Sequence, residues 1–302
     1  MNGLLIIDKP AGLTSFDVVR QVRRSCGTRR VGHAGTLDPL ATGVLPVALG
    51  TATRLIEYLM AADKVYRATL QLGAATDTQD AEGRVTATGD WGSVTRAALE
   101  RACAAMVGTI LQTPPMFSAL KQDGQPLYKL ARQGIEVARE AREIRIEAID
   151  ILRFEPPLVD LQVACGKGTY IRTLCHDLGS QLGCWAHLTA LRRTRNGVFD
   201  EATSHPLAEI VQRATTGAPL PLISPAQALA DWPGLVVSGR AVERLRNGVA
   251  PRAEEVAGTA APGQKVRLLV DDRLAAVASA PSHDGSPAGE VFELHKVFTS
   301  VF

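Results

Sequence analysis

A mixed α/β (α+β) protein in two parts is the fold class this sequence predicts. A large first domain covers residues 1–230 and a small β-rich domain covers 231–302. Three observations lead there. Residues 64–72 and 158–164 alternate apolar and polar side chains, the period-two signature of half-buried strands. Residues 95–107 and 170–182 repeat their apolar positions every three to four residues, as amphipathic helices do. Beyond Trp232 the chain resets to short strands between turn residues, in a segment close to the practical lower size for an independent core.

Taken in order, residues 3–7 form an apolar run that reads as a buried strand, closed by a turn at Lys9-Pro10-Ala11-Gly12. Ser15 is a candidate cap for a helix with Phe16, Val19 and Val22 on one side. Gly32 to Arg54 is a motif-rich stretch without clear periodicity. Strand 64–72 places Tyr66, Ala68, Leu70 and Leu72 on one face. Helix 95–107 carries Leu99, Ala102, Cys103 and Met106 as its stripe and meets a stop at Gly108. From 113 to 143 prolines, glycines and mixed charge replace periodicity, which suggests an excursion from the core. Strands are expected again at 144–153 and 158–164. The helix at 170–182 buries Ile171, Leu174, Cys175, Leu178 and Leu182, and a strand follows at 185–192. Pro- and Ala-rich text from Thr215 to Pro225 marks the transition. In the small domain, strands at 235–238, 266–270, 273–279 and 290–295 surround one helix near 240–247.

Of 302 residues, 46% are hydrophobic, enough for a sizeable core, and general disorder is excluded. No apolar run approaches the roughly 18 residues of a membrane span, and Met1 to Asp8 lacks the basic lead of a secretory signal. Five cysteines, an odd number in a long chain, do not make a disulfide framework. A soluble protein of a reducing compartment is expected. Lys plus Arg total 33 against 31 Asp plus Glu, a net charge of +2. That near-balance argues against a chromatin-type polycation but leaves nucleic acid open, because binding depends on where charge sits. Arg20, Arg23, Arg24, Arg29 and Arg30 run without an intervening acid, as do Arg192, Arg193 and Arg195. A solvated face is the ordinary explanation of such runs; two of them around one rigid loop fit a polyanion track better.

That loop, Gly32-His33-Ala34-Gly35-Thr36-Leu37-Asp38-Pro39-Leu40-Ala41-Thr42-Gly43-Val44-Leu45-Pro46, is the densest unusual text in the chain. Its glycines and prolines restrict the backbone around Asp38, leaving a rigid carboxylate in partly apolar surroundings. Such a group is a candidate nucleophile or general base, although Asp-Pro is also an ordinary turn. A carboxylate there needs a cation to stay ionised. Arg172 supplies one, after the flexible turn Gly166-Lys167-Gly168-Thr169-Tyr170. Tyr66 and Tyr170 are candidates to stack on a base or simply to pack. Other motifs fail. Gly166-Lys167-Gly168-Thr169 lacks the spacing of a P-loop. Cys175, His176, Cys184 and His187 lack a zinc-ligand pattern and read as core residues.

The loop resembles the signature of bacterial tRNA pseudouridine-55 synthases, the TruB family. The resemblance extends through Asp8-Lys9-Pro10, Lys64-Val65-Tyr66-Arg67, Thr76-Asp77-Thr78-Gln79-Asp80, Arg132-Gln133-Gly134-Ile135, Gly168-Thr169-Tyr170-Ile171-Arg172 and Leu191-Arg192-Arg193. It covers most of residues 3–200. It implies a catalytic domain over 1–230 with a long, mainly antiparallel mixed sheet, a central cleft and an RNA-gripping insertion at about 113–143. It also implies a PUA-like RNA-binding domain over 231–302, which Ser238 to Gly248 and Leu268 to Asp271 resemble more loosely. The implied reaction isomerises one uridine of the tRNA T-loop without cofactor or metal, in a cytoplasmic monomer that binds the T-arm. Asp38 is then the essential carboxylate, attacking C1′ or C6 or deprotonating the ribose. Arg172 pairs with it, and Tyr66 stacks on the flipped uracil and takes the C5 proton. Tyr170 and Leu191 line the pocket, His33 fills the place the base leaves, and Asp80 and Lys9 arrange its polar groups.

Two rivals compete with this reading. One is a non-catalytic tRNA-binding or tRNA-folding protein that retains the cleft; the other is a glycosidase pairing Asp38 with Asp80. Binding alone needs no recessed carboxylate facing a polyanion, which favours the isomerase.

Overall fold

The structure is a computed structural model describing residues 1–122, 124–282 and 291–299. The chain begins with β1 (Gly3–Lys9), α1 (Ser15–Ser25), β2 (Val31–His33), β3 (Thr42–Leu49) and α2 (Ile56–Ala61). Next come β4 (Lys64–Leu72), the hairpin β5 (Ala74–Thr76) and β6 (Val85–Thr88), α3 (Arg96–Ala105) and β7 (Gly108–Gln112). A small hairpin, β8 (Lys121–Gln122) and β9 (Gln125–Pro126), precedes α4 (Leu127–Arg132), β10 (Arg142–Glu155), β11 (Leu158–Cys165), α5 (Ile171–Gln181) and β12 (Ala186–Asn196). Then β13 (Phe199–Asp200), β14 (His205–Pro206) and α6 (Leu207–Thr216) lead to β15 (Gly234–Val237), α7 (Arg240–Arg246), β16 (Val256–Ala257), β17 (Lys265–Val270), β18 (Arg273–Ser279) and β19 (Glu293–Val297).

Ten strands make the large mixed sheet. Its order is β14-β1-β3-β12-β4-β11-β10-β7, with β2 on β3 and β13 on β12. The pairings are antiparallel except β1 with β14 and β3 with β12. The β3–β12 join is short, Thr42 facing Arg192 and Gly43 facing Arg193. Strand β1 lacks alternation because both its faces are covered. Leu5 and Ile7 enter one core with Val18, Val19 and Val22 of α1, Tyr66 and Leu70 of β4 and Leu174 and Leu178 of α5. Leu4 and Ile6 enter another with Val44, Ala48, Leu55, Leu274, Val277 and Phe298. The five-stranded sheet β16-β15-β17-β18-β19 has its own core of Leu235, Leu245, Val266, Leu268 and Phe292.

Several expectations need correction. Thr14, not Ser15, caps α1, forming a capping box with Asp17. Ser15 is buried and used elsewhere, while Phe16 points outward at 57% exposure. The stretch from Gly32 to Arg54 contains β2, β3 and a 3-10 turn at Gly50–Leu55. Helix α6 lies mostly ahead of the expected transition, in a stretch for which no element was expected, and is closed by Gly217 in the left-handed conformation. The excursion is not featureless: it holds β8, β9 and α4, and its last two residues belong to β10. Residue 123 of it, and residue 290 of the last expected strand, lie outside the described residues. Strand β12 continues through Asn196, which changes the reading of its arginines.

Candidate active site

The loop between β2 and β3 is fixed from four directions. Ser15 Oγ accepts from the Leu37 amide at 2.8 Å and donates to the Leu37 carbonyl at 3.1 Å. Pro39 O accepts from the Gly12 amide at 2.8 Å and from Lys9 Nζ at 3.3 Å. Asn196 Nδ2 donates to Ala34 O at 2.8 Å. Arg193 donates from Nε to Val44 O at 2.7 Å and from Nη2 to Gly35 O at 3.1 Å. Buried carbonyls on a loop need such donors, and they pin the backbone on both sides of Asp38.

Against the carboxylate stands Arg172, at the start of α5. Its Nη1 lies 3.4 Å from Asp38 Oδ2 and 3.5 Å from Asp80 Oδ2, and Nη2 donates to Phe117 O at 2.5 Å. A cation in the first turn opposes the helix dipole, and Tyr170 provides α5 with no side-chain cap. Two carboxylates offset that. Asp80 is itself held, accepting from Thr78 Oγ1 at 2.6 Å and the Glu82 amide at 3.1 Å. The side chains of Arg172 and Asp80 are 6% and 3% exposed, whereas Asp38 is 31% exposed. Asp38 is therefore the member of the triad that faces the open recess. Removal from solvent pushes its carboxyl above the ordinary range, Asp80 adds to this, and Arg172 and Lys9 oppose it.

Apolar and aromatic groups complete the recess. Tyr66 on β4 and Leu191 on β12 are both nearly buried. Burial pushes the Tyr66 phenol up, while the Arg193 guanidinium facing it pulls it down. Gln112 at the end of β7 clamps the backbone of Tyr170, accepting from its amide at 2.9 Å and donating to its carbonyl at 3.1 Å. Arg172 lies 5.8 Å from the Tyr170 ring centroid. Lys9 is fully buried, its ammonium pulled down to about 8 by burial. His33 ends β2, and its buried Nδ1 has no partner among the described residues. Burial, then Arg193, lower its pKa and so disfavour the protonated imidazole.

The structure thus brings Asp38, Arg172, Asp80, Tyr66, Tyr170, Leu191 and Lys9 around one loop, with His33 at its entrance. It does not gather Cys175, His176, Cys184 and His187, and no metal-holding cluster of three or more such residues occurs among the described residues. The two arginine runs behave differently. Arg192 pairs with Asp8 at 2.9 Å and Glu201 at 2.5 Å, and Arg193 is buried, so only Arg195 of that run is free to meet a polyanion. This corrects the expected second track: strand pairing spends those charges internally. From the first run, Arg29 and Arg30 are exposed and line a groove of about 660 Å³ with Arg54, Thr53, Val31, Gly32 and Ile56. Ser15, Gln112, Phe117 and Arg193 were not singled out as site residues in the sequence. Only Arg193 carried a usable signal, sharing the parity of Leu191 on a strand read as ending four residues too soon.

Residues 23–171 match the model of the TruB family pseudouridylate synthase N-terminal domain, and residues 172–226 that of the tRNA pseudouridylate synthase B C-terminal domain. The chain is 50% identical over 301 residues to tRNA pseudouridine synthase B of Syntrophotalea carbinolica, covering 99% of this chain and 98% of the relative. Against tRNA pseudouridine synthase B of Geobacter sulfurreducens it is 48% identical, with 92% and 93% covered. A crystal structure of a Cbf5-Nop10-Gar1 complex contains a chain that superposes with a TM-score of 0.77 at 28% identity, covering 98% of this chain and 84% of that one.

Proposed function

The chain belongs to the TruB family of pseudouridylate synthases, tRNA-modifying isomerases, and we propose that it converts the T-loop uridine at tRNA position 55, with Asp38 as the essential carboxylate. The observation that carries this reading is Arg172 held between Asp38 and Asp80, with only Asp38 open to the recess. The reaction breaks the N1–C1′ bond, turns the uracil and joins C5 to C1′. The C5 hydrogen is lost and N1 gains one, so no redox partner or transferred group is needed. Arg172 keeps Asp38 ionised and oriented, Asp80 keeps Arg172 in place, and Lys9 secures the loop through Pro39.

A paired uridine cannot reach a recess of this kind without leaving the stack. Tyr66 stacks on the flipped base and receives the C5 proton. Tyr170 and Leu191 close the recess against water while the glycosidic bond is open. His33, at the loop entrance, takes the space the base vacates. Chain geometry supports a continuous RNA path: Arg30 stands just before β2 and His33 at its end, within about 10 Å of chain, so the groove of Arg29, Arg30 and Arg54 meets backbone phosphates next to the flipped nucleotide. Residues 1–230 carry catalysis, with 113–143 gripping the RNA, and 231–302 add a PUA-like binding surface. The enzyme acts as a cytoplasmic monomer on the T-arm, without metal or cofactor.

Tritium release from C5-labelled tRNA tests the assignment. Asp38→Asn abolishes release while tRNA affinity stays within an order of magnitude of the parent; normal turnover by this variant would overturn it. A folding assistant that merely retains the cleft would release no tritium in either form.

A further inference from the structure

Arg193 heads the largest fully buried side chains of the described residues, at 1% exposure. It has no carboxylate partner among them. A cation taken from water without a counter-ion is expensive, and surface RNA binding cannot explain one placed there. Its two side-chain hydrogen bonds go to Gly35 O and Val44 O, the two feet of the loop that carries Asp38. The loop glycines are shaped around it. A Cβ at Gly35 (φ +108°) would approach Arg193 Nη1 at 3.3 Å, and one at Gly43 (φ +99°) would lie 2.2 Å from the Arg193 carbonyl oxygen. Across the β4–β12 pair, Arg193 stands directly opposite Tyr66. The charged or titratable groups facing Tyr66 are Arg193 from β12, Cys165 from β11 and Asp38 from the loop, and Arg193 is the one cation of the three.

We infer that Arg193 is the positioning residue of the reaction: one buried guanidinium clamps both feet of the Asp38 loop and holds a fixed positive charge against the Tyr66 hydroxyl. The inference rests on the roles proposed above for Asp38 and Tyr66. Once C5 is joined to C1′, C5 still carries its hydrogen. That proton passes to the Tyr66 phenolate oxygen, the C–H electron pair enters the ring, and N1 takes a proton from solvent. The phenol then loses its proton to solvent to start the next cycle. Arg193 stabilises the phenolate that this step requires, without touching the substrate.

The test compares Arg193→Lys and Arg193→Gln with the parent. Four quantities are measured: thermal unfolding, tRNA affinity, single-turnover isomerisation across pH, and ultraviolet titration of Tyr66, isolated by difference from the matching Tyr66→Phe proteins. The expected result is folded protein with unchanged tRNA affinity. Isomerisation by the Gln variant is slower by on the order of 100-fold, the cost of loosening a reacting geometry, and the Lys variant recovers part of it. Both the Tyr66 titration and the rising limb of the rate move to higher pH in the Gln variant and less in the Lys variant. Parent-like rates in the Gln variant, or an unmoved Tyr66 titration, overturn the inference. Failure of both variants to fold also overturns it, because Arg193 would then be a structural residue. Failure of the parent to form any pseudouridine instead removes the functional reading, which the Tyr66 titrations do not depend on.

Discussion

Replacing Arg172 with Met tests the electrostatics of the site most sharply. The substitution keeps an unbranched, packable stem and removes the charge that lies 3.4 Å from Asp38 and 3.5 Å from Asp80. At an effective dielectric of about 20, each contact is a Coulomb attraction of roughly 5 kcal/mol before desolvation is counted. The net cost is smaller, because the parent already pays to bury all three groups. Asp80, only 3% exposed in its side chain, is the group left stranded. Breaking a buried pair from one side costs about 3–5 kcal/mol, a fall in melting temperature of roughly 10 °C for a chain of this size. Adding Asp80→Asn removes the stranded charge while keeping an acceptor for Thr78 and the Glu82 amide. The double variant therefore regains most of the lost stability, measured by urea unfolding, but no isomerase activity. If the double variant is as unstable as Arg172→Met, or the single variant loses less than about 1 kcal/mol, the carboxylates are not what Arg172 compensates.

Further outcomes follow from the same geometry. Because burial raises the Asp38 carboxyl, the acid limb of the single-turnover rate lies above the ordinary carboxylate range. The sign is fixed: activity requires the ionised form and is lost as pH falls through the raised value, and losing Arg172, which lowers that value, moves any residual limb higher still. Arg29→Gln together with Arg30→Gln weakens tRNA binding and reduces the salt slope by about 2, with single-turnover rate at saturating enzyme unchanged; filter binding at several salt concentrations checks this. Ser15→Ala leaves the Leu37 amide and carbonyl unpartnered and costs about 1–3 kcal/mol, together with a slower chemical step. Gly43→Ala forces a Cβ to 2.2 Å from the Arg193 carbonyl at φ +99°, and the protein is expected to lose more than the roughly 1–3 kcal/mol of the backbone strain alone.

Elements with a clean period were legible in the sequence. Strand β4 has the bounds its alternation predicts, and α3 and α5 differ from expectation only at their ends. Strand β3 was hidden because seven of its eight residues are buried, so it never alternates. Helix α6 had usable signals, Pro206 before it and Gly217 after it, masked by the proline-rich text that follows. At the site, the rigid Asp38 loop drew notice on composition and Arg172 as the cation beside it, but the second carboxylate on Arg172 did not follow from spacing. Arg172 lies 92 residues from Asp80 in the chain, and only folding brings them to 3.5 Å. Backbone groups such as Phe117 O carry no sequence signal at all. Arg193 was misread because a run of arginines looks the same whether its members face water, an acid or the core.

Every role proposed for these residues depends on isomerisation of one tRNA uridine through Asp38. Mapping pseudouridine by carbodiimide-stop sequencing, in unmodified tRNA incubated with the protein, tests it most directly. One new stop is expected, at position 55 of the T-loop, present with the parent and absent with Asp38→Asn at tRNA-saturating concentration. No stop with the parent, a stop elsewhere, or an equal stop with the Asn variant would contradict it.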